Sequence, residues 1–130
     1  MKLVFIAGAF SGANAWEIAC NVHKAEAVAL RVAQLGGMPV CPHSLGRSMF
    51  GTLPESFWRA GCLVLLARCD GILLLPSWTS SGGAGAESDF AEQHGIIRWG
   101  MAHLDQPSFA RWLTHPPERG QALRQATGAK

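Results

Sequence analysis

The sequence predicts an α/β fold built on a mostly parallel sheet. Four short, mostly apolar runs at residues 3–7, 38–41, 72–75 and 96–99 have the length and character of buried strands. Between them lie segments whose apolar residues recur at spacings of three and four, the period of a helix with one packed face. Strand and helix therefore alternate along the chain, a pattern that implies crossovers and a parallel sheet. With 130 residues, 48% of them hydrophobic and 15% charged, the chain suits one domain with a real core.

Residues 3–7 (LVFIA) form the first strand, and GAFSGAN supplies the turn after it. Asn14 is placed to cap the next helix, with Glu17 reaching back three residues later in the manner of a capping box. Ile18, Val22, Ala25, Ala29 and Val32 mark the buried face of that helix to about residue 35, where Gly36 and Gly37 end it. The second strand, 38–41, runs into Pro42 and His43. Residues 44–54 mix Gly, Ser, Thr and Pro without a sustained period, which predicts a loop able to act as a lid or as part of an interface.

Helical period returns at Glu55, where Phe57, Trp58, Cys62 and Leu65 give an apolar face that ends near Arg68. Asp70 and Gly71 lead into the third strand, 72–75. A third helix is predicted over 85–93, stopping at Gly95 and feeding the fourth strand. Residues 108–113 suit a short helix carrying Phe109 and Trp112. The domain is expected to span 1–115, followed by a loosely ordered tail, 116–130, rich in Pro, Gly, Ala and Gln.

Composition excludes several function classes. The net charge of +2 comes from 11 basic and 9 acidic residues that are dispersed, so no nucleic-acid footprint is expected. Cys20, Cys41, Cys62 and Cys69 are widely spaced among apolar residues and read as buried, reduced thiols of a cytoplasmic protein, with neither disulfide nor metal site. The N-terminal apolar run is a strand rather than a signal peptide, and no run approaches the roughly 20 residues needed to span a bilayer. No cofactor is expected. Trp58, Phe109 and Trp112 suggest apolar surface covered by a second subunit.

The segment LLLPSWTSSGGAGAESDF carries the main functional signal. A buried strand ends in a proline, a Ser/Gly-rich loop follows, and Glu87 arrives where a helix should begin. In an α/β protein that is the carboxyl end of a parallel strand, where ligands bind. Glu87 is a candidate nucleophile held ionised by the helix dipole, or simply a first-turn capping carboxylate. Ser80, Ser81, Gly82 and Gly83 can cradle a phosphate or a sugar, or form a plain turn; the loop lacks the Lys of an NTPase phosphate loop and the spacing of a dinucleotide fingerprint.

If strands one and three are neighbours, the first loop joins this one, offering Gly8 for close approach, Phe10 for stacking and Ser11 for hydrogen bonding. Phe10 reads equally as core. Asp70 either bonds the backbone or belongs to the site. His43, after a strand and a proline, reads as structural or as a ligand contact near the same edge. Trp78 directly precedes the loop and could wall a flat base.

FIAGAFSG, then PVCPH, then LLARCDGILLLPSW and SSGGAGAE together resemble the nucleoside 2-deoxyribosyltransferase-like superfamily, over about residues 3–99. The resemblance is to its small bacterial and phage branch of unknown function, related to the 2′-deoxynucleoside 5′-monophosphate N-glycosidases. It implies a flavodoxin-like or Rossmann-like three-layer sandwich with four to five strands. It also implies homodimers or higher homo-oligomers with shared sites, and cleavage or transfer of an N-glycosidic bond in a nucleoside or nucleotide.

In that superfamily the Glu matching Glu87 attacks C1′. The position six residues earlier is Ser in the monophosphate hydrolases, where it meets the 5′-phosphate, and here it is Ser81. Two positions depart. Cys62 stands where the superfamily has an Asp that manages the proton of the leaving base, and Phe10 stands where it has a Tyr. The departures open a second reading, a nucleotide-sensing module of the same fold. A third, a phosphoribohydrolase of the lysine-decarboxylase-like type, is suggested by GGAGAE, although Ala86 and Glu87 follow Gly85 without that family's Thr.

Overall fold

Side-chain alternation along the central strand sets the layering. In the computed structural model, which describes residues 1–115, β1 is Leu3–Ala7, and it directs Val4 and Ile6 to one face and Phe5 and Ala7 to the other. The other strands are β2 (Met38–Val40), β3 (Gly71–Leu74) and β4 (Ile97–Gly100), all parallel, in the order β2-β1-β3-β4. Phe5 pairs with Val40 on one side and Ile72 on the other, so both central strands are buried.

The described residues form five α-helices: α1 (Ala15–Gln34), α2 (Pro42–Met49), α3 (Glu55–Ala67), α4 (Gly82–Gln93) and α5 (Pro107–Thr114). Ala25, Val28, Ala29 and Val32 of α1 and Phe109 and Leu113 of α5 pack with Val4, Ile6 and Leu73. Leu66 of α3 and Ala84 and Ala91 of α4 pack with Phe5, Ala7, Ile72 and Leu74. The result is a three-layer flavodoxin-like sandwich with four parallel strands. Among the described residues no helix is long and apolar enough to cross a membrane.

Local chemistry explains most boundaries. Asn14 Oδ1 accepts from Glu17 N at 2.9 Å, as a cap should, but Glu17 Oε2 accepts from Ala13 N at 2.6 Å, one residue before the cap. Helices α1 and α4 are followed by Gly36 and Gly95 at φ +102° and +66°, the left-handed region that glycine adopts without strain. Cys69 is buried, its thiol donating to Leu65 O at 3.4 Å, whereas Cys20, Cys41 and Cys62 are only half-buried.

Four expectations are corrected. Part of the expected 44–54 loop is helix α2: Pro42 supplies a preset first-turn φ, and Glu26 of α1 accepts from Ser44 Oγ at 2.9 Å and pairs with Arg47. These tertiary ties outweigh the weak helix propensity of its Gly and Ser. Residues 76–80 form a 3-10 turn rather than an open loop, and α4 starts at Gly82, earlier than residue 85, because Ser81 Oγ caps Ala84 N at 3.2 Å. Phe109 is fully buried in its own subunit and so is not part of an apolar surface, whereas Trp112 is half-buried, packed on the same core beneath the ammonium of Lys2, 4.6 Å from its ring centre. The expected 116–130 tail lies outside the described residues.

Candidate functional site

The carboxyl ends of β1 and β3 lie side by side, Ala7 opposite Leu74, and the loops that follow are tied together. Leu75 N donates to Ala7 O at 2.8 Å, and Ala9 N donates to Ser77 Oγ at 3.1 Å. Asn21 Nδ2 fixes the first loop from below through the carbonyls of Phe10 and Ser11, both at 3.1 Å. Gly8 is buried at this junction, where a Cβ would come within 3.0 Å of Leu75 Cβ. Above it opens a pocket of about 760 Å³, bounded by both loops, α2, α3 and the first half of α4.

Glu87 lines this pocket. It belongs to the second turn of α4 rather than the first, so its carboxylate is not held ionised by the helix start as the sequence implied. Burial pushes its pKa up to about 7, partly opposed by the Arg59 guanidinium. Among the described residues none donates a hydrogen bond to it, and none of them form a cluster of three or more acidic, His or Cys ligands for a metal. Cys62 lines the same pocket from α3, its thiol pushed up to about 11 by burial and then by the Glu87 charge.

Arg59 reaches over the start of α4. Its Nη2 lies 3.5 Å from where a Cβ on Gly82 would be, and it pairs with Glu55 one turn back at 2.9 Å. The amides of Gly82 and Gly83 are in the first turn and have no carbonyl a turn earlier to bond. Ser81, as the cap, accepts from Ala84 N and keeps its hydroxyl proton to donate elsewhere. A guanidinium, a hydroxyl and first-turn amides thus converge beside Glu87, a donor set that suits an anion.

His43 and Phe10 form the opposite wall. His43 is 5% exposed, and burial lowers its pKa, so the neutral ring donates from Nε2 to Ala9 O at 3.1 Å. The Phe10 ring lies 6.0 Å from His43 and 5.9 Å from Phe50, edge-on to the latter. It rests on Gly46, where a Cβ would be 2.8 Å from its Cε2. Helix α2, unforeseen in the sequence, therefore positions two of the expected site residues.

Glu87, Cys62, Gly8, Phe10, Ser11, His43, Ser81 and Gly83 all line the pocket as the sequence suggested. Two candidates lie away from the pocket, Asp70 in the backbone-bonding role that the sequence left open and Trp78 against expectation. Asp70 lies at the amino end of β3, the far end of the sheet, where its Oδ2 accepts from Leu3 N at 2.7 Å and its own N donates to Leu3 O at 2.8 Å. Trp78 packs against the core on the α3/α4 face and does not line the pocket. Arg59 was missed; its signal was the helical spacing Glu55, Arg59, Cys62, which puts all three on adjoining positions of one helix face.

A family model described as a domain of unknown function (DUF4406) matches residues 2–97, which include every residue of this pocket. The chain belongs to that family. No curated protein matches it.

Proposed function

We propose that this member of the DUF4406 family cleaves the N-glycosidic bond of a nucleoside or nucleoside 5′-monophosphate, with Glu87 as nucleophile. The observation that carries this reading is the half-buried Glu87 carboxylate, with its pKa near 7, beside the anion-suited group of Arg59, Ser81 and the α4 amides. A carboxylate stripped of hydrogen bonds and partly dried is both a stronger nucleophile and a stronger stabiliser of developing positive charge.

In the first step a Glu87 oxygen bonds to C1′ as the C1′–N bond breaks, and the base departs with the electron pair. Water then attacks C1′, the ester bond breaks back to Glu87, and the proton lost by water balances the one gained by the base. The net reaction consumes one water and yields free base and sugar or sugar phosphate. Ser81, Arg59 and the amides of Gly82 and Gly83 would hold a 5′-phosphate, which fixes C1′ relative to Glu87.

The test is incubation with ribo- and deoxynucleosides and their 5′-monophosphates, following free base by chromatography beside Glu87→Gln. Release should fall by on the order of 10³-fold or more in the variant. Equal release from parent and variant would overturn the reading.

One observation favours a second reading, a nucleotide-binding module that has lost the chemistry. With its thiol pushed up to about 11, Cys62 stays protonated through the neutral range and exchanges no proton there as an ordinary acid–base group, and Phe10 offers no hydroxyl. Nucleotide binding by calorimetry with no base released over hours would establish it.

A further inference from the structure

A neutral purine or pyrimidine takes up a proton as it leaves a sugar, because otherwise it departs as a high-energy anion. Among the described residues, the titratable side chains that line the pocket are His43 on α2, Glu55, Arg59 and Cys62 on α3, and Glu87 on α4. Arg59 does not give up its proton, and Glu55, the carboxylate of an ion pair with it at 2.9 Å, has none to give. The Cys62 thiol, pushed up to about 11, keeps its proton through the neutral range. His43 is neutral; its single N–H donates to Ala9 O at 3.1 Å, and its buried Nδ1 is a bare lone pair without a partner among the described residues. Glu87 cannot be nucleophile and acid at once. The pocket is therefore suited to a base that leaves without taking a proton.

Two further features point the same way. The Glu87 carboxylate is buried, accepts no hydrogen bond from the described residues and is only partly offset by Arg59, so a cation seated beside it supplies what the fold does not. Arg59, the one cation lining the pocket among the described residues, lies over the start of α4, where the 5′-phosphate is placed. The rings of Phe10, Phe50, Phe57 and Trp58 border the remaining space, and the face of such a ring attracts a flat, positively charged one.

We infer that the site takes a nucleotide whose base is a cation at the glycosidic nitrogen, a pyridinium mononucleotide, in preference to neutral purine and pyrimidine nucleotides. As a Glu87 oxygen bonds to C1′, the C1′–N bond breaks and its electron pair cancels the charge on the ring nitrogen, so the base leaves neutral with no proton transferred. Water then attacks C1′, the ester bond breaks back to the Glu87 carboxylate, and the proton of that water goes to solvent. Each bond cleaved consumes one water and releases one proton. A pyridinium mononucleotide of about 22 non-hydrogen atoms, even at about 30 Å³ apiece, occupies roughly 660 Å³. The pocket holds about 760 Å³. This substrate class rests on the reading of Glu87 as a glycosidic nucleophile, but the preference for charge can be measured without turnover.

The probes are the carbocyclic analogue of nicotinamide mononucleotide, which keeps the pyridinium charge but lacks the ring oxygen needed for cleavage, and the same carbocycle carrying a benzamide ring, its neutral isostere. Each is used with and without the 2′-hydroxyl and titrated by calorimetry into the parent protein and Glu87→Gln at about pH 8, where Glu87 is ionised. The parent should bind the pyridinium probe about tenfold more tightly than the benzamide probe, or better. That ratio should fall to about twofold or less in Glu87→Gln, and likewise in the parent at about pH 5.5, where Glu87 holds its proton. Equal binding of the two probes by the parent, binding of neither in either sugar form, or a preference that Glu87→Gln keeps would overturn the inference. The glycosidase reading fails separately, if the parent prefers the pyridinium probe yet releases no base from nicotinamide mononucleotide or from any neutral nucleotide.

Discussion

Replacing Glu87 by Gln should make the protein more stable above neutral pH while removing its chemistry. The carboxyl group titrates near pH 7 in the folded chain against an ordinary value of 4.5, with burial as the leading cause. The native state therefore holds this proton more tightly than the unfolded state does, and stability falls as pH rises from about 4.5 to 7. At 1.36 kcal/mol for each pKa unit, a rise from 4.5 to about 7 sets a ceiling of about 3 kcal/mol. Glu87 is half-buried, so solvent and side-chain relaxation recover part of that, leaving about 1 to 2 kcal/mol. The amide keeps the shape of the acid and never ionises. Urea denaturation of both proteins at a series of pH values gives the difference directly; at about pH 8 it should raise the melting temperature by roughly 3 to 8 °C, and below about pH 4.5 it should vanish. A difference that does not change with pH, or a less stable Gln variant at pH 8, would show that Glu87 carries no burial penalty and that the pocket is wet.

Three further outcomes follow from the same geometry. Arg59→Ala should weaken binding of 5′-monophosphates by about tenfold while affecting nucleosides less, and should move the pH dependence of base release upward, because the guanidinium now holds the Glu87 pKa down; a pH series of kcat with both substrate classes reads both effects. Gly46→Ala should cost about 1 to 3 kcal/mol in denaturant and loosen ligand binding, because the new methyl group meets the Phe10 ring at 2.8 Å. Asp70→Ala should lower stability by about 1 to 3 kcal/mol by leaving Leu3 N without its acceptor, yet leave kcat of the folded protein unaltered; a large loss of kcat would return Asp70 to the site.

The strands and their parallel arrangement were legible because burial on both faces leaves an unbroken apolar run, as in residues 3–7 and 72–75. Helix α2 was not, because its stability comes from outside its own eight residues: Glu26, sixteen or more positions earlier, receives Ser44 and Arg47, and Phe10 rests on its glycine. Local propensity carries no trace of such ties. The start of α4 was misread for the opposite reason. Ser81 and the glycines after it read as loop by composition, but a Ser cap followed by small residues is equally a helix start, and only the accepted Ala84 N distinguishes the two.

The contrast between Asp70 and Glu87 shows why site residues are harder to read than elements. Both carboxylates flank β3, one before it and one after the turn that leaves it, and both follow small or polar residues in the sequence. Asp70 spends its charge on the Leu3 backbone and closes the amino end of the β1–β3 pair, where the strands' own hydrogen bonds run out. Among the described residues Glu87 receives no such donor, and the Arg59 guanidinium, which lines the same pocket, only partly offsets its burial. A carboxylate that accepts a backbone amide, as Asp70 does, is committed to holding the fold. One whose burial cost is left largely unmet is poised to be relieved by something that enters the pocket carrying positive charge, whether a stable cation or the sugar of a breaking glycosidic bond. The fold makes that distinction by the end of the sheet at which each carboxylate is placed, so it becomes visible only when the strand order β2-β1-β3-β4 is known.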